Sequence, residues 1–429
     1  MFKKNKLKIS NPLNLLFGIL FVFNLLYAFW SYSLTDPNLI LTSWSPYWQF
    51  QQRMWQFFFN QRTWLTYGYA SLMAGLFAVY FWGISLTAKQ TNKIISKEIF
   101  LKYALALSPL LLSYNALSHD VFNYIFNAKM VLVYHANPHV QVALDFVRDD
   151  WTRFMHNTHT PAPYGYGWTA LSLLPSLLGA GKFLFTWLIF RAWAVVSLLL
   201  LYRVVRKLAI KITEKSLSLN SFWLLFANPL LFIEVIANQH NDLWMMVPAL
   251  ASLLLVIDKP ACLFSQGKLL KRPARTLLLK LLSSIGLLAF SVSIKLATLV
   301  LVPIWLLTVS RWFVPLIKRR VSRPNLMWLS SMALFAPLLT SRSQQFLPWY
   351  LIWALVWLPL IKKEWWKRWL IVFSLTAMAR YLPWLWAGGF DSQVLWQQKI
   401  FLWGGGLGLW LISSVFSLLK DKLRYNKNS

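Results

Sequence analysis

The sequence predicts an all-α polytopic membrane protein, folded as a single transmembrane domain over residues 1–429. Hydrophobic residues make up 58% of the chain and charged residues only 13%, about half the charged share of an ordinary soluble domain. A soluble core of this size could not bury so much apolar surface. Twelve apolar runs are long enough, or nearly so, to cross a bilayer, and short basic segments separate them.

The predicted bundle therefore contains about 12 transmembrane helices. The apolar runs fall at roughly 13–34, 64–87, 102–117, 183–204, 219–236, 243–257, 280–295, 296–309, 326–341, 348–361, 368–387 and 398–419. Several runs are short, and 280–309 fits either one broken element or two helices. The predicted number of spans is therefore open by about two.

The distribution of charge orients these helices. With the N-terminus inside, the cytoplasmic segments carry 32 of the 43 Lys and Arg residues, in agreement with the positive-inside rule. This topological clustering explains the net charge of +30 without nucleic-acid binding, and it also attracts anionic membrane lipids. We expect a multi-pass plasma-membrane protein with both termini in the cytoplasm and an even number of spans.

Titratable groups concentrate on the predicted outer face. All six histidines and most of the acids fall there, chiefly in and around two outer loops at 35–63 and 118–182. General acid–base chemistry needs such groups, so these loops are expected to form a catalytic face. The aromatic runs SWSPYWQF and WQFFFN in the first loop indicate a short interfacial helix or an aromatic belt. Residues 171–183 are a second candidate for a shallow helix.

The segment SHDVFNYIFNAKMVLVYHANPHV, residues 118–140, is the first candidate for chemistry. Asp120, Asn123, Tyr124 and Asn127 recur at spacings of three and four, so they share one face of a helix. A carboxylate at Asp120 is able to accept a proton from a hydroxyl. The alternative is that Asp120 only caps the helix.

The segment ANPLLFIEVIANQHNDLWMMVPAL, residues 227–250, is the second candidate. Two apolar runs meet at the short polar turn NQHND, and Glu234 lies about one turn inside the first of them. Ionisable groups at membrane depth are costly and mark functional sites more often than plain turns. His240 and Asp242 could supply two ligands to a divalent metal, which is not a full ligand set; no cofactor is expected.

Two cations complete the candidates. Lys295 lies in the apolar stretch SVSIKLATLVLVP and needs an anionic partner. That partner is either a lipid phosphate or, as a structural pair, Glu234 or Asp242. Arg342, at the outer end of a span, is placed either to clamp a phosphate or to snorkel to the interface.

Together these segments resemble the GT-C superfamily of polyprenyl-phosphate-sugar glycosyltransferases, and within it the bacterial branch that uses polyprenyl-phosphate-mannose. Members carry D-x-Y-R-Y-x-W-D-G-R ending in G-x-N-P-Y, where this chain reads DVFNYIFNAKMVLVYHANPH. They also carry N-P-L…E…G-H-N-D, where it reads NPLLFIEVIANQHND. A lone intramembrane Lys before a Pro, a P-W-Y-L-x-W element and APYGYGW at 162–168 complete a set that runs in order over residues 118–353.

The chain departs from the family pattern at four positions. Asn127 stands in place of the second Asp, Lys129 in place of Arg, Gln239 in place of Gly and His139 in place of Tyr. Asp120 is therefore the only carboxylate that its motif retains. These departures leave the identity of the sugar open.

The resemblance implies a GT-C-like bundle that transfers a sugar, mannose first, from a polyprenyl-phosphate donor to a glycan or glycolipid acceptor with inversion. Asp120 is the implied base, while Lys295 and Arg342 hold the phosphate. The residues implied to bind substrate are Asn123, Tyr124, Asn137, Tyr164, Glu234, Asn238, His240, Asn241, Asp242, Lys295, Arg342 and Gln345.

Two other classes of protein fit part of the pattern. A secondary transporter or lipid flippase would suit an even number of spans with both termini inside, but transporters often contain internal repeats around a midplane site, and no repeat is visible here. A non-enzymatic scaffold for envelope assembly would leave Glu234 and Lys295 unexplained.

Overall fold

The computed structural model describes residues 12–35, 41–90, 93–258, 271–340 and 346–428. Within these ranges the regular elements are helical, apart from one isolated bridge between Ile94 and Ser218. The α-helices, in chain order, are α1 Pro12–Ser31, α2 Ser45–Met54, α3 Arg62–Ala88, α4 Lys97–Leu107, α5 Asp120–Tyr134, α6 Tyr166–Leu178, α7 Phe183–Thr213, α8 Leu219–Phe226, α9 Pro229–Phe232, α10 Asp242–Val256, α11 Lys271–Ile294, α12 Val302–Ser310, α13 Pro315–Arg320, α14 Arg323–Phe335, α15 Ile352–Leu355, α16 Glu364–Ala379, α17 Tyr381–Ala387, α18 Ser392–Lys399 and α19 Gly405–Asn428.

Six helical segments of the described residues are long and apolar enough to cross a membrane. They are Pro12–Leu34, Arg62–Ala88, Phe183–Thr213, Arg275–Ile294, Glu364–Ala387 and Ser392–Phe416. The chain is therefore a polytopic all-α membrane protein, as predicted. The number of twelve is not confirmed, because the apolar helices Asp242–Val256, Leu296–Ser310 and Pro348–Leu360 are only 10–17 residues long.

A bent pair of helices adds a seventh candidate span where one run, 219–236, was predicted. Leu219–Phe226 and Pro229–Ala237 meet at an angle of 55°. The break occurs at Asn228, because Pro229 has no backbone N–H to continue the helical ladder. The Asn228 side chain accepts from the Leu230 N–H at 3.1 Å and so starts the second helix.

The centre of the bundle is formed by a continuous buried stretch. Every residue from Phe222 through Leu250 is buried, and α10 packs between α7 and α11. The polar turn NQHND lies within this stretch, enclosed by protein rather than in an exposed loop. Side chains that would be costly beside lipid thus face neighbouring helices.

The helix break predicted within 280–309 is found at Lys295. α11 ends at Ile294, Lys295 itself is extended with φ −146° and ψ 132°, and a 3₁₀ helix, Leu296–Leu301, follows and leads into α12. The chain therefore makes two helical elements here. The break directs the Lys295 side chain toward α10, where Asp242 lies.

The segment 35–63 contains a helix at the aromatic runs, for which an interfacial helix or an aromatic belt was expected. α2 continues through a π-helical turn, Trp55–Phe59, and Trp44, Trp48 and Phe57 are exposed. The second candidate for a shallow helix lies in α6, which has 13 residues and ends at Leu178. It is too short to cross a bilayer.

Candidate active site

A cavity of about 730 Å³ lies where α5, the segment before α6, the break after α11 and the turn before α15 meet. Polar and aromatic side chains line one part of it and aliphatic side chains the other. The lining residues are Asp120, Asn123, Asn157, Pro163, Tyr164, Gly165, Tyr166, Val292, Ser293, Lys295, Leu296, Ala297, Leu347, Trp349, Tyr350 and Trp353. Of the two loops predicted to lie outside, the described residues of 118–182 contribute to this wall and those of 35–63 do not.

Asp120 is the carboxylate on the cavity wall. It is the first residue of α5, and the residue at the capping position is His119, which makes no side-chain capping bond. The Asp120 carboxylate instead accepts a hydrogen bond from the Tyr164 hydroxyl at 2.7 Å, and 19% of its side chain is exposed. The alternative that Asp120 only caps the helix is therefore wrong.

Tyr164 holds Asp120 from the segment before α6. Desolvation raises the pKa of Tyr164 and the charge on Asp120 raises it further, so the phenol stays protonated and donates. Gly165 allows the close approach that this requires: its N–H donates to the Ile294 carbonyl at 2.9 Å, and a Cβ there would collide with the Ser293 carbonyl.

His240 lies between two carboxylates. Its Nδ1 is 3.6 Å from Asp120 Oδ2 and its Nε2 is 3.3 Å from Glu234 Oε2. The ring stacks on Trp349, with centroids 3.8 Å apart and planes inclined by 20°. The arrangement is a chain of carboxylate, imidazole and carboxylate that leads from the cavity into the core.

Glu234 ends this chain in the fully buried core. Its two oxygens accept hydrogen bonds from Asn238 Nδ2 and the Tyr381 hydroxyl, both at 2.9 Å. Glu234 and Asn238 are completely buried and do not line the cavity. Their geometry supports His240 rather than direct contact with a ligand.

Lys295, which lines the cavity, forms an ion pair with the buried Asp242. Lys295 Nζ donates to Asp242 Oδ1 at 2.8 Å, and Trp353 Nε1 donates to the same oxygen at 2.6 Å. The ammonium also lies 4.9 Å from the centroid of the Tyr164 ring. Of the two carboxylates expected as partners of Lys295 within the protein, Asp242 is therefore the one that pairs with it, and Glu234 is not. Lys295 still lines the cavity.

The remaining predicted residues are distributed unevenly. Asn123 lines the cavity, and Tyr124 packs edge-on against Tyr164. Asn241 is buried outside the lining. Asn137 is exposed and donates to the Tyr166 hydroxyl at 3.1 Å. The predicted residues Arg342 and Gln345 lie outside the described residues.

Lys129, which departs from the family pattern, forms a cluster away from the cavity. Its ammonium lies 2.5 Å from Asp149 and 4.0 Å from the centroid of the Trp151 ring. Desolvation raises the pKa of Asp149, but hydrogen bonds from Lys129, the Trp151 N–H and Tyr134 outweigh it, so the net shift is downward. This cluster connects α5 to the segment that follows it in the chain.

A stacked pair of histidines next to Asp120 was not predicted. His119 and His156 have ring centroids 3.9 Å apart and an interplanar angle of 27°. Desolvation lowers the pKa of His119 to about 3, and His156 contributes in the same direction. A pairing across an irregular loop has no periodic signature in the sequence.

The lowered pKa of His119 should make the stability of the protein depend on pH. Unfolded His119 takes up a proton near pH 6.5, whereas native His119 stays neutral to about pH 3. The unfolded state therefore binds more protons between these values, and the free energy of unfolding falls as the pH decreases from about 6.5.

We expect His119→Gln to lose fewer degrees of Tm between pH 7 and pH 5 than the parent in thermal scans. His135→Gln, an exposed histidine, is the control, and equal losses in all three proteins would contradict the prediction.

No group of three His, Cys, Asp or Glu side chains in the described part of the chain is arranged to hold a metal ion. The two ligands considered in the sequence, His240 and Asp242, have other neighbours. His240 lies beside Asp120 and Glu234, and Asp242 is paired with Lys295.

The fold is that of a polytopic membrane protein. Its site is a row of ionisable side chains, Glu234, His240 and Asp120, that leads from the buried core to the wall of a cavity. A family model described as alpha-(1->6)-mannopyranosyltransferase, N-terminal domain (MptA_B family), matches residues 38–311. The chain belongs to this family, which confirms the predicted resemblance to membrane mannosyltransferases. No curated protein and no solved structure gives a significant match. The matched region contains Asp120, Glu234, His240 and Lys295, whereas Trp349 lies beyond it.

Proposed function

We propose that this chain is a GT-C-type transferase that moves mannose from a polyprenyl-phosphate donor to a glycan or glycolipid acceptor, on the outer face of the plasma membrane. One observation carries the proposal. The Asp120 carboxylate lies on the wall of a cavity that also contains the Lys295 ammonium, and His240 and Glu234 stand behind it. A base and a phosphate-binding cation are the two groups that direct sugar transfer needs.

In the proposed reaction, Asp120 accepts the proton of an acceptor hydroxyl. The hydroxyl oxygen forms a bond to the anomeric carbon as the bond from that carbon to the phosphate oxygen breaks. The electron pair of the broken bond leaves with the polyprenyl phosphate. Attack from the face opposite the leaving group inverts the configuration, with no covalent intermediate on the protein.

His240 and Glu234 would stabilise this proton transfer. An imidazole held between two carboxylates spreads the change in charge when Asp120 takes up a proton. The distance of 3.6 Å from His240 to Asp120 is long for a hydrogen bond, and such distances commonly shorten when substrate binds.

Lys295 would bind the donor phosphate while it remains paired with Asp242. An ammonium has three N–H donors, and the hydrogen bond to Asp242 uses one of them. The others have no hydrogen-bond acceptor among the described residues, and we propose that they stabilise the negative charge that develops on the departing phosphate. Asp242, fixed by Trp353, would keep the ammonium in place before the donor arrives.

The cavity wall offers separate surfaces to a sugar and to a lipid chain. Trp349, Tyr350 and Trp353 provide aromatic faces for a sugar ring, and Val292, Leu296 and Ala297 form an aliphatic side. Leu296 is 71% exposed, so an apolar residue of this wall reaches the protein surface, which we propose faces lipid. We propose that the prenyl chain of the donor lies there.

The proposed orientation follows from charge. The basic segments are placed in the cytoplasm by the positive-inside rule, which puts both termini inside and residues 118–182 outside. A lipid-linked donor needs no nucleotide-binding domain, because the activated sugar is delivered within the membrane.

The proposal is tested with purified protein and a panel of polyprenyl-phosphate sugars. We expect transfer from the mannose donor to exceed transfer from the glucose, galactose and arabinose donors by at least tenfold, with inversion seen by NMR of the product. GDP-mannose serves as the nucleotide-sugar control. Transfer from GDP-mannose without the lipid donor would refute the choice of donor, and retention of configuration would refute the mechanism.

A further inference from the structure

A second buried cation lies behind the site and takes no part in the proposed reaction. Arg191 of α7 is 1% exposed, and no carboxylate of the described residues forms an ion pair with it. A buried charge without a counter-ion is costly unless hydrogen bonds satisfy it fully. The hydrogen-bond acceptors around Arg191 therefore show how its buried charge is stabilised.

All five N–H donors of Arg191 have acceptors. Nη1 donates to the Leu110 carbonyl and to Ser113 Oγ, both at 2.7 Å, and Nη2 donates to Asn115 Oδ1 at 3.2 Å. With the Gln239 amide assigned from its donors, its oxygen accepts from Nη2 at 2.6 Å and from Nε at 3.0 Å.

These acceptors belong to the two segments that carry the site. Leu110, Ser113 and Asn115 lie on the chain that leads into Asp120, and Gln239 precedes His240 in the polar turn. The same two segments meet again where the Leu117 N–H donates to Asn238 Oδ1 at 3.3 Å. Arg191 thus forms hydrogen bonds to both segments.

Gln239 has an unusual backbone conformation at this junction. Its φ is +60°, in the left-handed region that glycine adopts readily and other residues avoid. A glycine would fit the backbone but would offer Arg191 no side-chain acceptor. The hydrogen bonds from Arg191 offset the strain at Gln239 and fix the turn that presents His240.

We propose that Arg191 and Gln239 act as a positioning pair that holds the carboxylate of Asp120 and the imidazole of His240 in register. The consequence for catalysis rests on the proposed sugar transfer. The pairing itself does not, because it is a property of the folded chain.

The test is a double-mutant cycle with Arg191→Lys and Gln239→Gly. Lysine keeps the charge but cannot reproduce five donors in a planar fork. We expect Arg191→Lys to lower kcat by at least tenfold with less than a threefold change in the donor KM. Gln239→Gly should lower kcat about threefold, and the double variant no more than Arg191→Lys alone, because both changes remove the same contact.

Ser252→Ala is the matched control. Ser252 is buried in α10 and bonds to Ser284 of α11 at 2.8 Å, away from the cavity lining. It should lower Tm but keep the parental kcat. If Arg191→Lys behaves in the same way, with a lower Tm and an unchanged kcat, Arg191 is merely structural and the proposal is refuted.

The same cycle measured by Tm needs no substrate. Non-additive losses of Tm for the two variants would support the pairing even if no sugar donor were used by the parent protein, a result that would refute the proposed function alone. Additive losses of Tm together with normal sugar transfer by the parent would refute the positioning pair alone.

Discussion

Replacing Asp120 by Asn should abolish most sugar transfer while leaving the fold intact. Asn keeps the size of the side chain and an oxygen that accepts from Tyr164, which now donates at 2.7 Å, but it cannot take up the proton of an acceptor hydroxyl. Removal of a positioned base typically costs roughly 10²–10⁴-fold in rate. We expect a loss of kcat in that range, measured by single-turnover transfer from the mannose donor.

The matched control is Asp150→Asn. Asp150 belongs to the same segment, 118–182, its side chain is 84% exposed, and it does not line the cavity. This variant should retain parental kcat and Tm. If Asp120→Asn folds normally and transfers mannose within threefold of the parent rate, Asp120 is not the base.

Loss of Lys295 should weaken use of the donor far more than use of the acceptor. A hydrogen bond to a charged group contributes about 1.5–3 kcal/mol, which corresponds to a rise of roughly 10–100-fold in the donor KM. We expect Lys295→Ala to show this rise with little change in the acceptor KM. Initial rates with each substrate varied in turn provide the measurement.

Lys295→Ala also leaves Asp242 buried without its partner, because Asp242 is completely buried and Lys295 only 10% exposed. Breaking such a pair costs about 3–5 kcal/mol of stability. The double variant Lys295→Ala with Asp242→Asn removes both charges and should recover much of the Tm lost by the single variant. A donor KM that recovers together with Tm would show that Lys295 supports the fold and does not bind phosphate.

The positions of the main elements could be predicted because apolar runs report the membrane environment directly. The run at 183–204 corresponds to α7, and the uncertain stretch at 280–309 proved to be two elements that break at Lys295. The number of spans could not be predicted as well. Short helices such as α10 are apolar because they pack inside the protein against other helices. Their apolar sequences therefore resemble those of helices that face lipid, although they are shorter.

Some residues in and around the cavity could be selected from the sequence, but their contacts could not. Asp120, Glu234 and Lys295 stand out because charged groups in apolar surroundings are rare. Their partners come from distant parts of the chain, as when Trp353 donates to Asp242 across 111 residues. Such contacts leave no local pattern in a single sequence.

One available signal was missed. Arg191 lies in the apolar run LIFRAWAVV, and an intramembrane arginine is by itself a reason to expect a buried network. The basic clusters between apolar runs indicate topology, and Arg191 does not belong to any of those clusters. Its partners Gln239 and Asn115 are neutral, so no opposite charge pointed to it.

The buried bend between α8 and α9 has a consequence for biosynthesis. One of the two hydrogen bonds to Glu234 comes from Tyr381, which the ribosome adds 147 residues later. Until that residue has been made and inserted, the nascent helix pair must wait in the bilayer with an incompletely shielded carboxyl group. Insertion factors that shelter polar intermediates would therefore matter most for this protein during synthesis of its C-terminal third.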